Sequence, residues 1–454
     1  MRERILIIGA GFAGMWSALG AVRLLDQQGQ ADGSVEVAVI APQPELHVRP
    51  RLYEKNAAQM KAPLSEIFAN AGVRFIKGYA TGISTTDNVV TYQDGDGRHS
   101  TITYSKLVLA TGSVLFRPDI PGLDHAFNVD QLADAAKLED HISDLGRLPE
   151  THARNTVVIA GGGFTGIETA AEMPHRLRAA LGDTAKIRVV IVERGPAIGP
   201  DLGPGPRPVI EQALLELGVE TYLRAPIVAI DESGVSLSTG ERIEAATVIW
   251  TAGARANPIT SQIDANKDSF GRLHVDRNLK VIGQENVFAT GDVACAATDD
   301  LGNRTMMSCQ HAQNLGRSSG HNVAADLLGV APISYSQEKY VTCLDLGPWG
   351  AVYTEGWDRQ IKLSGAEAKK LKTTINTTWI YPPIADRTTA LAAADRCVSL
   401  SPDDLSLRRA RRPAPNRVRA RLFQFSSRSY HHESSKIPGR HIACNRFGNA
   451  RGCA

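Results

Sequence analysis

The apolar residues of this 454-residue chain fall into short continuous runs separated by longer periodic stretches. Ile5–Ile8, Val35–Ile40, Leu107–Ala110, Thr156–Ala160, Ile187–Val192, Thr247–Trp250 and Val287–Ala289 are mostly aliphatic or β-branched, and the mixed run Val219–Leu223 reads as a further strand. Runs of that length read as strands buried on both faces, the mark of a parallel sheet. Between them, Ala18, Ala21, Val22 and Leu25 within residues 12–25, and the stretch 209–217, carry the spacing of helices laid on a sheet. Alternating strands and helices of this kind predict an α/β fold. Asp94-Gly95-Asp96-Gly97, between Val89–Tyr92 and Thr101–Tyr104, predicts an inserted antiparallel hairpin. From Val341 the pattern alternates through Leu344-Asp345-Leu346 and Ala351-Val352-Tyr353, followed by a helix over 366–376 and a stop at Tyr381-Pro382-Pro383.

Two of the runs break into the same glycine turn. Ile8 is followed by Gly9-Ala10-Gly11-Phe12-Ala13-Gly14, and Ala160 by Gly161-Gly162-Gly163-Phe164-Thr165-Gly166-Ile167-Glu168. In such a turn the first glycine makes the tight bend and the second lets backbone N–H groups reach a pyrophosphate. The third lets the helix pack on the strand, with its N-terminus facing the anion. One copy would be weak; two in one chain imply two dinucleotides.

The strand ends differ. Ile187–Val192 closes on Glu193, a carboxylate suited to both ribose hydroxyls of NAD and repelling the 2′-phosphate of NADP. NADH is therefore the expected nucleotide, with NADPH kept open by the adjacent Arg194. Val35–Ile40 instead runs into Ala41-Pro42-Gln43, so that either Gln43 or Glu45 substitutes for the usual acid or the ribose is held less tightly. Leu107–Ala110 ends in Thr111-Gly112-Ser113, and Thr247–Trp250 leaves through a similar stretch, Thr251-Ala252-Gly253. The repeat thus extends beyond the glycine turns. Ala289-Thr290-Gly291-Asp292 places a carboxylate at a buried strand end, where it can accept hydrogen bonds from a polyhydroxyl chain.

Charge changes the picture only at the C-terminus. The net +2 conceals 12 Lys and Arg against 3 Asp and Glu from Cys397 onward, leaving the rest of the chain at −7. Residues 391–454 are expected to form a disordered basic tail. Six cysteines, none before Cys295 and none in a C-x-x-C pair, make neither a disulfide framework nor a metal site. A strand beginning almost at Met1 leaves no room for a cleaved signal, and no apolar run approaches the ~20 residues of a membrane span. The expectation is a cytoplasmic protein whose membrane contact, if any, is peripheral and on the inner face of the cell membrane.

The two fingerprints, the Ala110-Thr111-Gly112-Ser113 and Trp250-to-Pro258 exits and Ala289-Thr290-Gly291-Asp292, in this order, resemble the two-dinucleotide flavoprotein reductases. The absence of cysteine before residue 295 separates the chain from the glutathione-reductase-like branch and from sulfide:quinone oxidoreductases. The closest resemblance is to type II NADH dehydrogenase, a single-chain NADH:quinone oxidoreductase. His47-Val48-Arg49-Pro50-Arg51-Leu52 is similar to that family's flavin-covering segment, and Gly166-Ile167-Glu168 to the motif whose glutamate lies near nicotinamide and quinone. Cys309-Gln310-His311-Ala312 resembles the helix start beside the flavin, with Cys309 and His311 replacing smaller or apolar residues. Ser308 is a good N-cap for that helix, and Ala312, Leu315, Gly316, Ser319 and Val323 give it a small-residue face.

The resemblance implies two Rossmann-like domains, for FAD (residues 1–120 and 255–330) and NAD(P)H (121–254), with a small α+β domain over 331–390. It implies non-covalent FAD held by Gly9, Gly11, Phe12, Ala13, Gly14, Arg49, Thr111, Gly112, Gly291, Asp292 and Gln310. NADH would lie on Gly161, Gly163, Phe164, Thr165, Gly166, Glu193 and Gly253, with Glu168 and Gln310 as catalytic residues and no metal. The second substrate would be a quinone or another small electron acceptor. Ala368-Lys369-Lys370-Leu371-Lys372 with Trp379-Ile380-Tyr381 suggests a basic, membrane-facing helix, and equally a solvated one. A homodimer is compatible with the sequence, and nucleic-acid binding is disfavoured. Two competing readings are a soluble reductase of a small iron-sulfur carrier and a flavin-bound redox sensor or nucleic-acid binder working through its basic tail. Ferredoxin-dependent turnover would mark the first, and loss of the partner on removing residues after Ala394 the second.

Overall fold

A computed structural model describes residues 2–30 and 33–396. The expected basic tail from Cys397 onward lies outside the described residues.

The apolar runs form two parallel sheets, with the more exposed strands Arg74–Lys77 and Val219–Leu223 at an edge of each. In the first, Val287–Ala289, Lys106–Leu109, Glu3–Ile8, Val35–Ala41 and Arg74–Lys77 lie side by side in that order. In the second the order is Val219–Leu223, Arg188–Glu193, Thr156–Ala160 and Thr247–Trp250. Each glycine-turn strand thus sits inside its sheet, where Ile5, Leu6 and Ile7, and likewise Val157, Val158 and Ile159, are fully buried. Each sheet carries an antiparallel three-stranded layer. The first comprises Tyr79–Ser84, Val89–Gln93 and His99–Thr103, as the Asp-Gly turn predicts once a third strand is added. The second comprises Ile227–Asp231, Gly234–Leu237 and Arg242–Glu244.

The two exits predicted to be equivalent are paired with each other. Ser113–Leu115 and Ala254–Ala256 form an antiparallel ribbon, so the chain crosses between the sheets twice at one place. Gly112 O accepts from Asn257 N at 2.9 Å, and Gly253 O from Phe116 N at 2.8 Å. A C-terminal meander, Val341–Asp345, Ala351–Glu355 and Gln360–Ser364, is backed by the helix Gly365–Thr374. This helix continues as a π-helical turn over Ile375–Trp379, where a purely α-helical end is expected.

Two described helices lie outside the elements the sequence predicts: Leu132–Asp144, which buries Ala135, Leu138 and Ile142 at helical spacing, and the short Arg387–Ala393. The second spans residue 391, the expected start of the tail. It packs Ala390 and Leu391 into the core of the first sheet, and Arg387 pairs with Asp26 at 2.7 Å.

The helices Phe12–Gln27 and Cys309–Leu328 cross at close range. A Cβ on Gly320 would stand 2.2 Å from Ser17 O, and one on Gly316 2.5 Å from Ala13 O. The small-residue face of the later helix is therefore a backbone-to-backbone seam. Gly320→Ala is expected to cost at least ~1–3 kcal/mol of stability by overpacking. A denaturant midpoint equal to that of the wild type would contradict this.

Candidate functional site

The glycine turns behave alike. Gly9 and Gly161 take φ of +110° and +112°, a region that disfavours side chains. A Cβ on Gly14 would stand 1.9 Å from Gly9 O, and one on Gly166 1.9 Å from Gly161 O, so both third glycines are required by strand–helix packing. Gly11 and Gly163 are different, because a Cβ there meets nothing within 4 Å. The protein itself gives no reason for glycine at these two positions, and the open space at each helix N-terminus fits a phosphate-bearing ligand. Ala13 is explained by packing, since a Cβ on Gly291 would come within 2.8 Å of its own. Phe12 and Phe164 begin the two helices half-buried, and Thr165 is exposed.

At the first turn the structure gathers residues from distant parts of the chain. Ser113 Oγ donates to Asp292 Oδ2 at 2.7 Å. Arg49 donates through Nη1 to Ser113 O and Oγ, both at 3.2 Å, and stands 4.0 Å from Asp292 Oδ2. Asp130, which sequence reading missed, holds the guanidinium from behind by an ion pair through Nη2, and its carbonyl accepts from Nε at 3.0 Å. Gly112 and Gly291 both take φ of +67° at neighbouring strand ends. The hydroxyls of Thr111 and Thr290 beside them are buried without a hydrogen-bond partner, as expected of groups that face a ligand. Of the two proposed substitutes for the missing acid, Glu45 is occupied by Lys61 at 3.0 Å, whereas Gln43 is exposed at the strand end.

At the second turn Glu193 is buried. Its Oε2 accepts from Gly162 N at 2.8 Å and its Oε1 from Gly195 N at 2.6 Å, which fixes the carboxylate against the glycine turn. Gly253, with φ of +81°, lies against Phe116 at the crossing ribbon.

Glu168, on the helix Phe164–Leu181, is 4% exposed. Its Oε1 accepts from Lys372 Nζ at 2.8 Å and from Asp345 N at 3.0 Å. Burial pushes the carboxyl up to about 7, against the pull of Lys372 and with the charge of Asp345 reinforcing the rise. Lys372 is 5% exposed; burial disfavours its charge, but the Glu168 carboxylate outweighs this and raises it above the ordinary lysine value. The ammonium also lies 5.9 Å from the Tyr53 ring centre and 5.8 Å from that of Phe164. Tyr53 OH donates to Asp345 Oδ2 at 3.1 Å, and Lys369 pairs with Asp345 Oδ1.

Here the basic-helix expectation is corrected. Lys369 and Lys372 face inward to carboxylates, and of the three lysines only Lys370 is exposed. Ala368, Lys372 and Asn376, spaced four apart, are all buried, so Lys372 and Asn376 lie on the inner face.

The start of the helix Cys309–Leu328 joins the two halves. Ser308 Oγ accepts from His311 N, as an N-cap should. The Cys309 thiol is pushed up to about 11 by burial, and the charges of Lys372, Asp292 and Glu168 all act on it. Gln310 Oε1 is buried without a partner. His311 is fully buried and stacked on Tyr340 at 5.1 Å, and burial lowers it to about 3, so it is a neutral packing residue. Among the described residues Cys295, Cys309 and Cys343 are free thiols, and no cluster of His, Cys, Asp and Glu could hold a metal. No described helix is long and apolar enough to cross a membrane.

The profile of the pyridine nucleotide-disulphide oxidoreductase family matches residues 3–316. An NADH dehydrogenase-like protein of Mycobacterium tuberculosis is 45% identical over 395 residues, covering 86% of this chain and 98% of its own length. A type II NADH:quinone oxidoreductase of Staphylococcus haemolyticus is 26% identical, covering 84% and 96%. Among solved structures, NDH2 from Plasmodium falciparum in complex with NADH superposes with a TM-score of 0.68 at 14% identity, covering 87% of this chain and 98% of that one.

Proposed function

The chain belongs to the pyridine nucleotide-disulphide oxidoreductase family, and from that premise we propose that it oxidises NADH through a non-covalent FAD and passes the electrons to a quinone. The observation that carries the quinone reading is the buried Glu168 carboxyl, poised near neutrality and joined by Lys372 to the C-terminal helix. The resemblance to type II NADH:quinone oxidoreductases over most of both chains supports it.

In this reading the helix N-terminus after Gly11 holds the FAD pyrophosphate, Asp292 accepts from the ribityl hydroxyls, and Arg49, braced by Asp130, covers the flavin. The helix after Gly163 holds the NADH pyrophosphate, with Glu193 on the adenosine ribose and Gly253 at the crossing ribbon. Bound FAD supplies a two-electron carrier between a hydride donor and a second acceptor. The protein contributes placement and charge. Gln310 stands at the N-terminus of the Cys309–Leu328 helix with its Oε1 buried and unpartnered, beside Cys309, on which the charges of Asp292 and Glu168 both act, so negative charge on a bound group there would be stabilised by the helix end. Glu168, half-protonated near neutral pH, can offer its proton to a reduced acceptor oxygen.

Steady-state turnover of the purified protein with NADH and a panel of acceptors tests this. Rapid reduction of ubiquinone or menaquinone analogues is expected; turnover with ferredoxin and none with quinones would replace the quinone by a protein carrier.

Cofactor choice gives a separate prediction. The fixed Glu193 carboxylate gains hydrogen bonds from a ribose diol but must face the 2′-phosphate of NADPH. One lost pairing of ~1–3 kcal/mol corresponds to about ten- to a hundredfold. NADH should exceed NADPH by at least about tenfold in kcat/KM, and Glu193→Ala should close the gap. Arg194 is exposed at the same strand end, so a wild type preferring NADPH would assign the phosphate to it and remove Glu193 from the ribose.

A further inference from the structure

A cavity of about 780 Å³ opens between residues 51–60, the Phe164–Leu181 helix and the Gly365–Thr374 helix. Lys372 lines it and donates to Glu168, so the space adjoins the carboxyl that would protonate a quinone. Its wall is unsuited to an isoprenoid chain. Of the described side chains that line it only Met60, Ile142, Ala179 and Ala180 are apolar, and Met60 and Ile142 are themselves held in the core of the second sheet. The remaining lining groups are charged or polar. A polyprenyl tail laid against them would desolvate those groups and gain little apolar burial in return.

The acids in this wall are already engaged. Glu54 pairs with Arg51 at 2.7 Å, and Lys369 holds Asp345 and stands 3.8 Å from Glu172. Glu139 accepts from Asn56 N at 2.7 Å and from Ala57 N at 2.9 Å. Arg176, which also lines the cavity, is different. It is 7% exposed, its Nη1 donates to Tyr53 O at 3.1 Å, and it forms no ion pair among the described residues. Burial pulls its charge down, and Glu139 and Glu172 act against that pull without pairing with it. A buried guanidinium without a paired anion is costly, and an anionic ligand removes the cost. Arg176 lies about two turns beyond Glu168 on one helix, about 12 Å along its axis.

We infer that the second substrate is a quinone without an isoprenoid tail that carries an acidic substituent. Its ring lies beside Lys372 and Glu168, and its carboxylate is held by Arg176, the specificity-determining residue. NADH gives two electrons and one proton, water gives the second proton, and the quinone becomes the quinol. The inference rests on the quinone reading of the site.

The test is an acceptor series with purified protein and saturating NADH: menadione, the same naphthoquinone carrying a short carboxylate side chain, and a polyprenyl menaquinone in detergent. The carboxylate should exceed menadione by about tenfold in kcat/KM, the effect of one charge-assisted hydrogen bond, and the polyprenyl form should fall below menadione. Arg176→Gln should bring the carboxylate-to-menadione ratio to about one, and Arg176→Lys should keep part of it. Each readout is a ratio within one protein, so partial loss of fold does not move it; if Arg176→Gln does not fold, the wild-type series and Arg176→Lys decide. Equal kcat/KM for the acid and menadione in the wild type, or a preference for the polyprenyl form, overturns the inference and leaves the quinone reading standing. A ratio that survives Arg176→Gln overturns the assignment of the acid to Arg176. A wild type that reduces none of the three overturns the quinone reading itself.

Discussion

Gly11→Val is expected to give a folded protein that purifies without its flavin. The expectation comes from the contrast between the glycines of one turn. A side chain on Gly14 would collide with Gly9 O at 1.9 Å, so its loss would damage the fold itself. A Cβ on Gly11 meets no protein atom within 4 Å, and Gly11 sits at φ −69°, which valine accepts. The branch would instead fill the space left for the pyrophosphate and block the backbone N–H groups behind it. Losing even two charge-assisted hydrogen bonds of ~1.5–3 kcal/mol each would weaken binding by about a hundredfold or more. Asp292→Ala should act in the same direction and more weakly, because it removes one acceptor and leaves Arg49 still held by Asp130. The measurement is flavin absorbance per chain, with circular dichroism and NADH binding confirming the fold. A Gly11→Val protein that keeps a full complement of FAD would show that the first turn is not the flavin's phosphate site.

The second large effect concerns Glu168. Glu168→Gln should lower quinone turnover by about a hundredfold or more, the usual contribution of a positioned proton donor. The pH dependence has a definite sign. With a carboxyl pushed up to about 7, the donor is protonated below that pH and ionised above it, so quinone turnover in the wild type should fall as pH rises through about 7. The variant should lose this descending limb.

The substitution has a second consequence that must be separated from the first. It leaves Lys372, only 5% exposed, without its counter-charge, and breaking a buried pair on one side costs ~3–5 kcal/mol. A single variant could therefore lose activity by losing structure. Glu168→Gln combined with Lys372→Met removes both charges and should recover most of the stability, since a buried pair is often replaceable by apolar groups. It should not recover quinone turnover. If the double variant regains turnover as well as stability, Glu168 is a structural ion-pair partner and the proton donor lies elsewhere.

The parts of this molecule that could be read from the chain are those whose physics is local. A run of β-branched residues ending in glycine determines a buried strand and a turn, because only glycine accepts the positive φ of Gly9 and Gly161 and the close backbone approach at Gly14 and Gly166. Asp94-Gly95-Asp96-Gly97 specified its hairpin for the same reason. Glu193 and Asp292 could be placed because each follows a recognisable strand end. The α/β class and the two nucleotide turns required nothing further.

Tertiary structure decided which charges meet. Lys372 lies 204 residues from Glu168, and Asp130 lies 81 from Arg49. No pattern within either segment marks the partner. On a helix written Ala368-Lys369-Lys370-Leu371-Lys372, three lysines look like a solvated or membrane-facing stripe. Folding turns two of them inward because Glu168 and Asp345 are buried, and Glu172 half-buried, by other elements and need counter-charge. Burial, and with it the near-neutral carboxyl of Glu168, is a property of the assembled layers, which local sequence spacing does not encode.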